Sequence, residues 1–184
     1  MNVRIEELPA MRVGAIRHVG SYNNLSAAFA NLAPIIERDG LLTQHHGEMI
    51  AFYHDDPAEW PASALRADVG VSLDEATPLP EGLTEVRVSA GSYACATLVG
   101  PYVGLGASWA ELLGEWLRAS GKQIGPGAPF EVYRTKRAPP ARELCTDLYV
   151  PVSLPRSRDQ HRRTGAPFIE AIPQQQAQSS ARRL

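Results

Sequence analysis

One acidic residue interrupts an apolar, strand-like segment in the second half of the chain. Residues 129–134 read Pro-Phe-Glu-Val-Tyr-Arg, and strand alternation places Glu131 and Tyr133 on one face. Phe130 and Val132 then share the other face. A carboxylate is costly to bury unless a positive charge or a hydrogen-bond donor meets it. Glu131 therefore either faces solvent on an exposed sheet face or lines a cavity that supplies such a partner.

The second alternative predicts a binding site for a small molecule. A cationic, lipophilic ligand would neutralise Glu131, and neighbouring aromatic rings would add cation–π attraction. A buried carboxylate with a raised pKa could also act as a general base on water, so hydrolysis of a bound molecule is the alternative to binding alone. The candidate ligand-binding residues are Glu131, Tyr133, Tyr149, Trp109, Tyr93 and Tyr53.

Other reactive side chains are better explained as structural or surface residues. Cys95 and Cys145 lie in apolar strand-like runs and are too few for a disulfide framework, which favours buried, inert thiols. His45, His46 and the His-Asp-Asp run at 54–56 lie in predicted loops and lack the spacing of a zinc site. The sequence therefore predicts no metal site, no cofactor and no dedicated catalytic residue.

The body and the C-terminal tail differ in charge. Carboxylates outnumber basic residues in 1–155, whereas arginines outnumber carboxylates in 156–184. An acidic body argues against direct nucleic-acid binding, because phosphate recognition needs clustered Lys and Arg. No apolar run reaches the roughly 18 residues of a membrane span, and the N-terminus has no signal-peptide core. We expect a cytoplasmic protein with no membrane contact and a flexible, basic tail at 156–184.

The elements that must position Glu131 occur twice along the chain. Shifted by 80 residues, the sequence matches itself in one register over about 40 positions. The first copy has Ala51 where the second has Glu131, so the repeated fold does not itself require the carboxylate. Two copies, unlike the three or more of a solenoid, predict one closed domain. The matched positions include Tyr22 with Tyr102, Leu25 with Leu105, Arg38 with Arg118, and Tyr53 with Tyr133.

Both copies show the same order of periodicities. An alternating strand, at Met11–Val19 in the first copy and at 85–99 in the second, precedes a Gly-rich turn. Apolar residues at helical spacing follow, and Gly40 and Gly121 are placed to end the two helices. Two further strands complete each copy. Asn23 or Asn24 is a candidate cap for the first helix.

This pattern predicts an α+β domain at 1–155. It consists of two βαββ units, at about 1–75 and about 83–155, related by pseudo-twofold symmetry. Their strands form an antiparallel sheet on which two helices flank a central groove, and such an internal interface is a common ligand site. Tyr22 and Tyr102, just after the first strand of each copy, are assigned to the core.

Six short motifs, taken in order, resemble the GyrI-like family. The resemblance covers residues 1 to about 154, and the tail has no counterpart in it. The motifs are Val-Gly-x-Tyr at 19–22 and 99–102, Tyr-His-Asp-Asp-Pro at 53–57, Leu-Arg-Ala-Asp at 65–68, Ala-Gly-Ser-Tyr-Ala at 90–94, Phe-Glu-Val-Tyr at 130–133, and Asp-Leu-Tyr-Val-Pro-Val at 147–152.

The resemblance implies both a fold and a function. The family's fold is a duplicated βαββ arrangement, and it includes stand-alone DNA gyrase inhibitors and the effector-binding domains of AraC- and MerR-type regulators. Its multidrug-binding members hold lipophilic cations in the central groove through a glutamate that Glu131 matches. We therefore expect a stand-alone, gyrase-inhibitor-like binding protein, with a lipophilic cation as ligand and DNA gyrase as partner. A drug-sequestering module or a groove-glutamate hydrolase of reactive small molecules is the alternative.

Overall fold

The computed structural model describes residues 1–42, 47–134 and 140–154. The tail at 156–184 and the His45–His46 pair therefore lie outside the described residues. The strands are β1 (Val3–Leu8), β2 (Met11–Val19), β3 (Met49–Tyr53), β4 (Arg66–Leu73), β5 (Thr84–Val88), β6 (Gly91–Val99), β7 (Gln123–Ile124), β8 (Phe130–Tyr133) and β9 (Cys145–Ser153). The helices are α1 (Leu25–Asp39), α2 (Leu105–Ala110) and α3 (Leu117–Ser120), with a π-helical segment (Glu111–Trp116) joining α2 to α3.

The strands form an antiparallel sheet that must curl. Its order is β1-β6-β9-β8-β3-β4-β2-β5, with β7 added on β9. Strands β1 and β2 are six places apart, which is roughly 29 Å at about 4.8 Å per strand in a flat sheet. Only Pro9 and Ala10 join them, and such a linker spans about 11 Å. The link between β5 and β6 is equally short, so both connections bring the two edges of the sheet together.

Two helical stretches cover the outer face of the sheet and leave a strip between them. Helix α1 packs on β2 and β4, while the stretch from α2 to α3 packs on β6 and β9. Strands β3 and β8 pair at the centre, where Ala51 lies opposite Glu131. We call the strip over β3 and β8, between the helices, the groove. The α+β class and the antiparallel sheet with two helices are confirmed.

The order of elements repeats along the chain. Strands β2 and β6 begin and end 80 residues apart, as do the short 3₁₀ turns Tyr22–Asn24 and Tyr102–Gly104. Both helical stretches end at a glycine in the left-handed conformation, Gly40 and Gly121, as predicted. The second stretch is one residue longer than the first, and its π-helical segment absorbs the extra residue. The pseudo-twofold symmetry of the two units stays a prediction, as do the domain bounds.

Two local predictions are wrong. The strand at 85–99 is two strands, because the chain leaves β5 at one edge of the curled sheet and enters β6 near the other. Asn24 occupies the N-terminal position of α1, but its side chain makes no capping bond. The Ser21 hydroxyl instead accepts from the backbone of Asn23 and closes the preceding turn. No helix in the described part of the chain is long and apolar enough to cross a membrane.

The close contact between β2 and β4 leaves no room for a Cβ atom at Gly70. A Cβ at this position would lie 2.5 Å from the carbonyl oxygen of Gly14 and 2.7 Å from Val13. Backbone atoms cannot give way as a side chain can. We expect Gly70→Ala to lower the free energy of unfolding by about 1–3 kcal/mol, measured by chemical denaturation.

Gly106 in α2 provides the matched control. A Cβ there meets nothing within 4 Å, so Gly106→Ala should be neutral or stabilising by up to about 1 kcal/mol. Equal stability of the two variants would contradict the close packing of β2 on β4.

Candidate functional site

Glu131 lies at the centre of the groove floor. Its neighbours across the sheet are Ala51 on β3 and Leu148 on β9, and all three side chains point toward the helices. Phe130 and Val132, on either side of it in β8, pack into the inner face of the sheet. Glu131 is only 1% exposed. The prediction that it faces away from Phe130 is confirmed, and the alternative of a solvent-facing carboxylate is wrong.

Three hydrogen-bond donors hold the carboxylate. Trp109 Nε1 on α2 donates to Oε1 of Glu131 at 2.6 Å. The Tyr133 hydroxyl, two residues along β8, donates to Oε2 at 2.6 Å. Tyr53 on β3 forms a further hydrogen bond with Glu131. The donors come from three different elements, so the carboxylate links both central strands to the second helical stretch.

Aromatic rings surround these donors. The ring of Tyr53 packs edge-on against Tyr22 and Trp109, with centroids 4.9 and 5.8 Å away. The ring of Tyr133 packs in the same way against Phe29 and Tyr102, at 5.3 and 5.5 Å. The six rings form three pairs separated by 80 residues, namely Tyr22 with Tyr102, Phe29 with Trp109, and Tyr53 with Tyr133.

Burial dominates the electrostatics of the site. Loss of hydration raises the pKa of Glu131 above its usual value near 4.5, although bonds from Tyr133, Trp109 and Tyr53 act to lower it. Burial likewise holds the pKa of both tyrosines well above 10, and the nearby carboxylate adds to the shift. No basic side chain of the described residues contributes to the pKa of Glu131. The site thus presents an acid with three donors and no counter-cation from the described residues.

Two other buried carboxylates, in contrast, are neutralised. Asp68 pairs with Arg17 and with His54, whose Nε2 lies 2.6 Å from Oδ2. Asp147 pairs with Arg134, whose Nε lies 2.7 Å from Oδ2. The lack of a cation at Glu131 is therefore a property of the groove and not of buried acids in this chain generally.

The structure brings together only part of the predicted site. Tyr133, Trp109 and Tyr53 contact or surround Glu131, as expected. Tyr149 and Tyr93 do not lie beside Glu131, so their predicted assignment to the groove is wrong.

Tyr149 and Tyr93 both lie on the inner face of the sheet. Tyr149 stacks on Phe130 with centroids 4.9 Å apart, and Tyr93 lies 5.7 Å from the same ring. Residues directly opposite on paired strands share a face, and the register pairs Tyr149 with Phe130 rather than with Glu131.

Three site residues were missed from the sequence. Tyr22 and Tyr102 were assigned to the core, and Phe29 was not singled out. Each is the repeat partner of a residue at or near the site. The 80-residue match, applied to groove positions as well as to core positions, would have found them.

The remaining reactive residues lie elsewhere. Cys95 is fully buried on the inner face, where loss of hydration raises its pKa to about 11 and leaves the thiol protonated. Cys145 is half-buried at the start of β9. His54 is exposed, as predicted, and its Nε2 also contacts Asp68.

Comparison with known proteins identifies the family. The model of the GyrI-like small molecule binding domain matches residues 1–153. The chain belongs to the GyrI-like family. A DNA gyrase inhibitor from Edwardsiella piscicida is 33% identical over 83% of this chain and 98% of its own length. The DNA gyrase inhibitor of Escherichia coli K12 is 28% identical over 72% of this chain and 85% of its own.

Solved structures share the fold of this GyrI-like chain. The C-terminal domain of EcmrR matches with a TM-score of 0.65 and 16% identity, over 83% of this chain and 98% of that domain. SAV2435 bound to tetraphenylphosphonium matches with a TM-score of 0.57 and 10% identity, over 83% and 94%. A hydrolase from Listeria innocua matches with a TM-score of 0.58 and 14% identity, over 82% and 91%.

The electrostatics of Glu131 predict a pH-dependent effect of Glu131→Gln. The pKa of Glu131 is higher in the folded protein than in the unfolded chain, so its protonation stabilises the fold. This contribution to the free energy of unfolding is fully present below about pH 4.5 and is lost as the pH rises through the pKa of the folded protein. Gln resembles the protonated acid and does not titrate. We expect the variant to be more stable than the parent at pH 7, with the difference shrinking toward pH 4.5 in denaturation experiments.

Glu59→Gln serves as the control for this comparison, since Glu59 is exposed in a loop. It should change stability little at either pH. A Glu131→Gln protein less stable than the parent at pH 7 would show that the three hydrogen bonds favour the ionised acid by more than burial disfavours it.

Proposed function

We propose that this GyrI-like protein binds a lipophilic organic cation in the groove, with Glu131 as its counter-charge. The observation that carries the proposal is a carboxylate that is 1% exposed, encircled by aromatic side chains and without a basic partner among the described residues. An incoming cation would gain an opposite charge in a region of low dielectric. The rings of Tyr53, Tyr133 and Trp109 would add cation–π attraction.

Two comparisons support this ligand class. The family is one of small-molecule binding domains, and SAV2435, which shares the fold, has tetraphenylphosphonium bound. That ligand carries one positive charge inside an apolar shell of phenyl rings. A groove with one acid inside an aromatic shell is its chemical complement.

The contacts of Glu131 favour binding over catalysis. Its carboxylate oxygens accept bonds from Trp109 and Tyr133, and such bonds stabilise the ionised acid and so make it a weaker base toward an attacking water. Hydrolysis is the alternative, supported by the raised pKa of Glu131 and by the fold shared with a hydrolase from Listeria innocua. The two functions differ in whether the ligand is recovered intact.

Calorimetry with a matched pair of ligands tests the role of Glu131. Tetraphenylphosphonium is the cation, and triphenylphosphine oxide is a neutral compound with a similar aromatic surface. Glu131→Gln should weaken the binding of the cation by about 1.5–3 kcal/mol, as expected for the loss of a charge-assisted contact. Any binding of the neutral compound should stay nearly unchanged. Equal losses for both ligands would make Glu131 a structural residue and not the counter-charge.

Mass spectrometry of the recovered ligand separates binding from hydrolysis. We expect the cation to be recovered intact after prolonged incubation with the protein. A reactive electrophilic compound that is consumed by the parent, but not by Glu131→Gln, would favour the hydrolase alternative.

The relatives support DNA gyrase as a protein partner. They are named DNA gyrase inhibitors, and the Edwardsiella piscicida protein aligns over nearly its whole length. We expect the chain to inhibit supercoiling by purified gyrase. Because Glu131 is buried, Glu131→Gln should inhibit as well as the parent if gyrase contacts the outer surface. Full supercoiling activity at a large excess of the chain would reject gyrase as the partner.

A further inference from the structure

Thr146 on β9 has a hydroxyl group that the fold leaves without a partner. Its side chain is 1% exposed, and Oγ1 is the buried side-chain polar atom for which the described residues provide no hydrogen bond. Buried hydroxyls are normally satisfied, because an unpaired one loses its hydration and gains nothing in return. This hydroxyl therefore calls for a partner that the described residues do not supply.

The register places this hydroxyl on the groove side of the sheet. Thr146 lies directly opposite Tyr133, which bonds to Glu131, and two residues before Leu148, which lies opposite Glu131. Thr146 and Glu131 are thus diagonal neighbours on one face. Such neighbours are separated by roughly 7–8 Å between Cα atoms, a distance that one small molecule can bridge.

The first copy of the repeat shows that the hydroxyl is not needed for folding. There the residue opposite the groove tyrosine, Tyr53, is Ala67, which lies in the core. The second copy therefore replaces alanine by a polar residue twice on the groove face, at Glu131 for Ala51 and at Thr146 for Ala67. Both changes cost stability in a buried setting, and both side chains lie on the same face of the sheet.

Access to the two polar groups follows the same route. Tyr133 lies directly opposite Thr146 on the neighbouring strand, and its ring packs against Tyr102, which is 47% exposed. A ligand that enters beside these two rings would meet Glu131 and Thr146 together.

We propose that Thr146 is a specificity-determining residue of the groove, which hydrogen-bonds a hydroxyl or carbonyl group carried by the ligand. This rests on the proposed function, and it narrows the ligand class from any lipophilic cation to an aromatic cation with a polar substituent. Glu131 recognises the charge, and Thr146 recognises the substituent.

Two phosphonium ions that differ by one hydroxyl test the proposal. They are tetraphenylphosphonium and (4-hydroxyphenyl)triphenylphosphonium, titrated into the parent and into Thr146→Val, which keeps the shape but lacks the hydroxyl. The parent should bind the hydroxylated cation about fivefold more tightly than the plain one. Thr146→Val should abolish that preference, bind the plain cation like the parent, and melt at the same or a higher temperature.

Thr97→Val is the matched control, because the Thr97 hydroxyl already donates to Asp147 at 2.5 Å. It should lower the melting temperature and leave the preference for the hydroxylated cation intact. No preference in the parent, or a preference that survives in Thr146→Val, would overturn the role of Thr146 alone. If the parent binds neither cation, the proposed function fails and the inference fails with it.

Discussion

The pairing of β3 with β8 is the contact on which the rest of this structure depends. These two strands join the two halves of the chain into one sheet, and their register sets Ala51 directly opposite Glu131. The short links at the sheet edges curl the sheet around an inner core, while the helices cover the outer face to either side of the pair. In the described part of the chain, the strip between the two helical stretches is therefore the strip that contains Glu131. Aromatic side chains from both halves fill it.

The two faces of the sheet deal with buried charge in different ways. Asp68 and Asp147 are each matched by basic side chains, so burial leaves no net local charge to be compensated. Among the described residues, Glu131 has only neutral donors, which can bind an ionised acid but cannot cancel its charge. That imbalance costs stability in the unliganded protein, and a cationic ligand would relieve it. Loss of stability at a binding site and affinity for the ligand are thus two consequences of the same missing cation.

Much of this arrangement could be predicted from the sequence, within limits that have a physical cause. Strand alternation correctly placed Glu131 and Tyr133 on the other face of the sheet from Phe130, because the direction of side chains within a strand is a local property. Alternation alone could not assign Tyr149 to a face of the sheet, because that assignment depends on which residue of β9 lies opposite Phe130. The split between β5 and β6 was missed for a related reason: it follows from the closing of the sheet and not from the local pattern. Phe29, Tyr22 and Tyr102 could have been found from the 80-residue repeat alone.

The central claim is that Glu131 is buried without a counter-cation and that a bound cation supplies one. Carbon-13 NMR of the Glu131 carboxyl, followed through a pH titration with and without tetraphenylphosphonium, measures this directly, with Glu131→Gln used to assign the resonance. In the free protein, the pKa of Glu131 should lie above its usual value near 4.5, and saturation with the cation should lower this pKa. A Glu131 pKa that does not change between the free and the saturated protein would contradict the account.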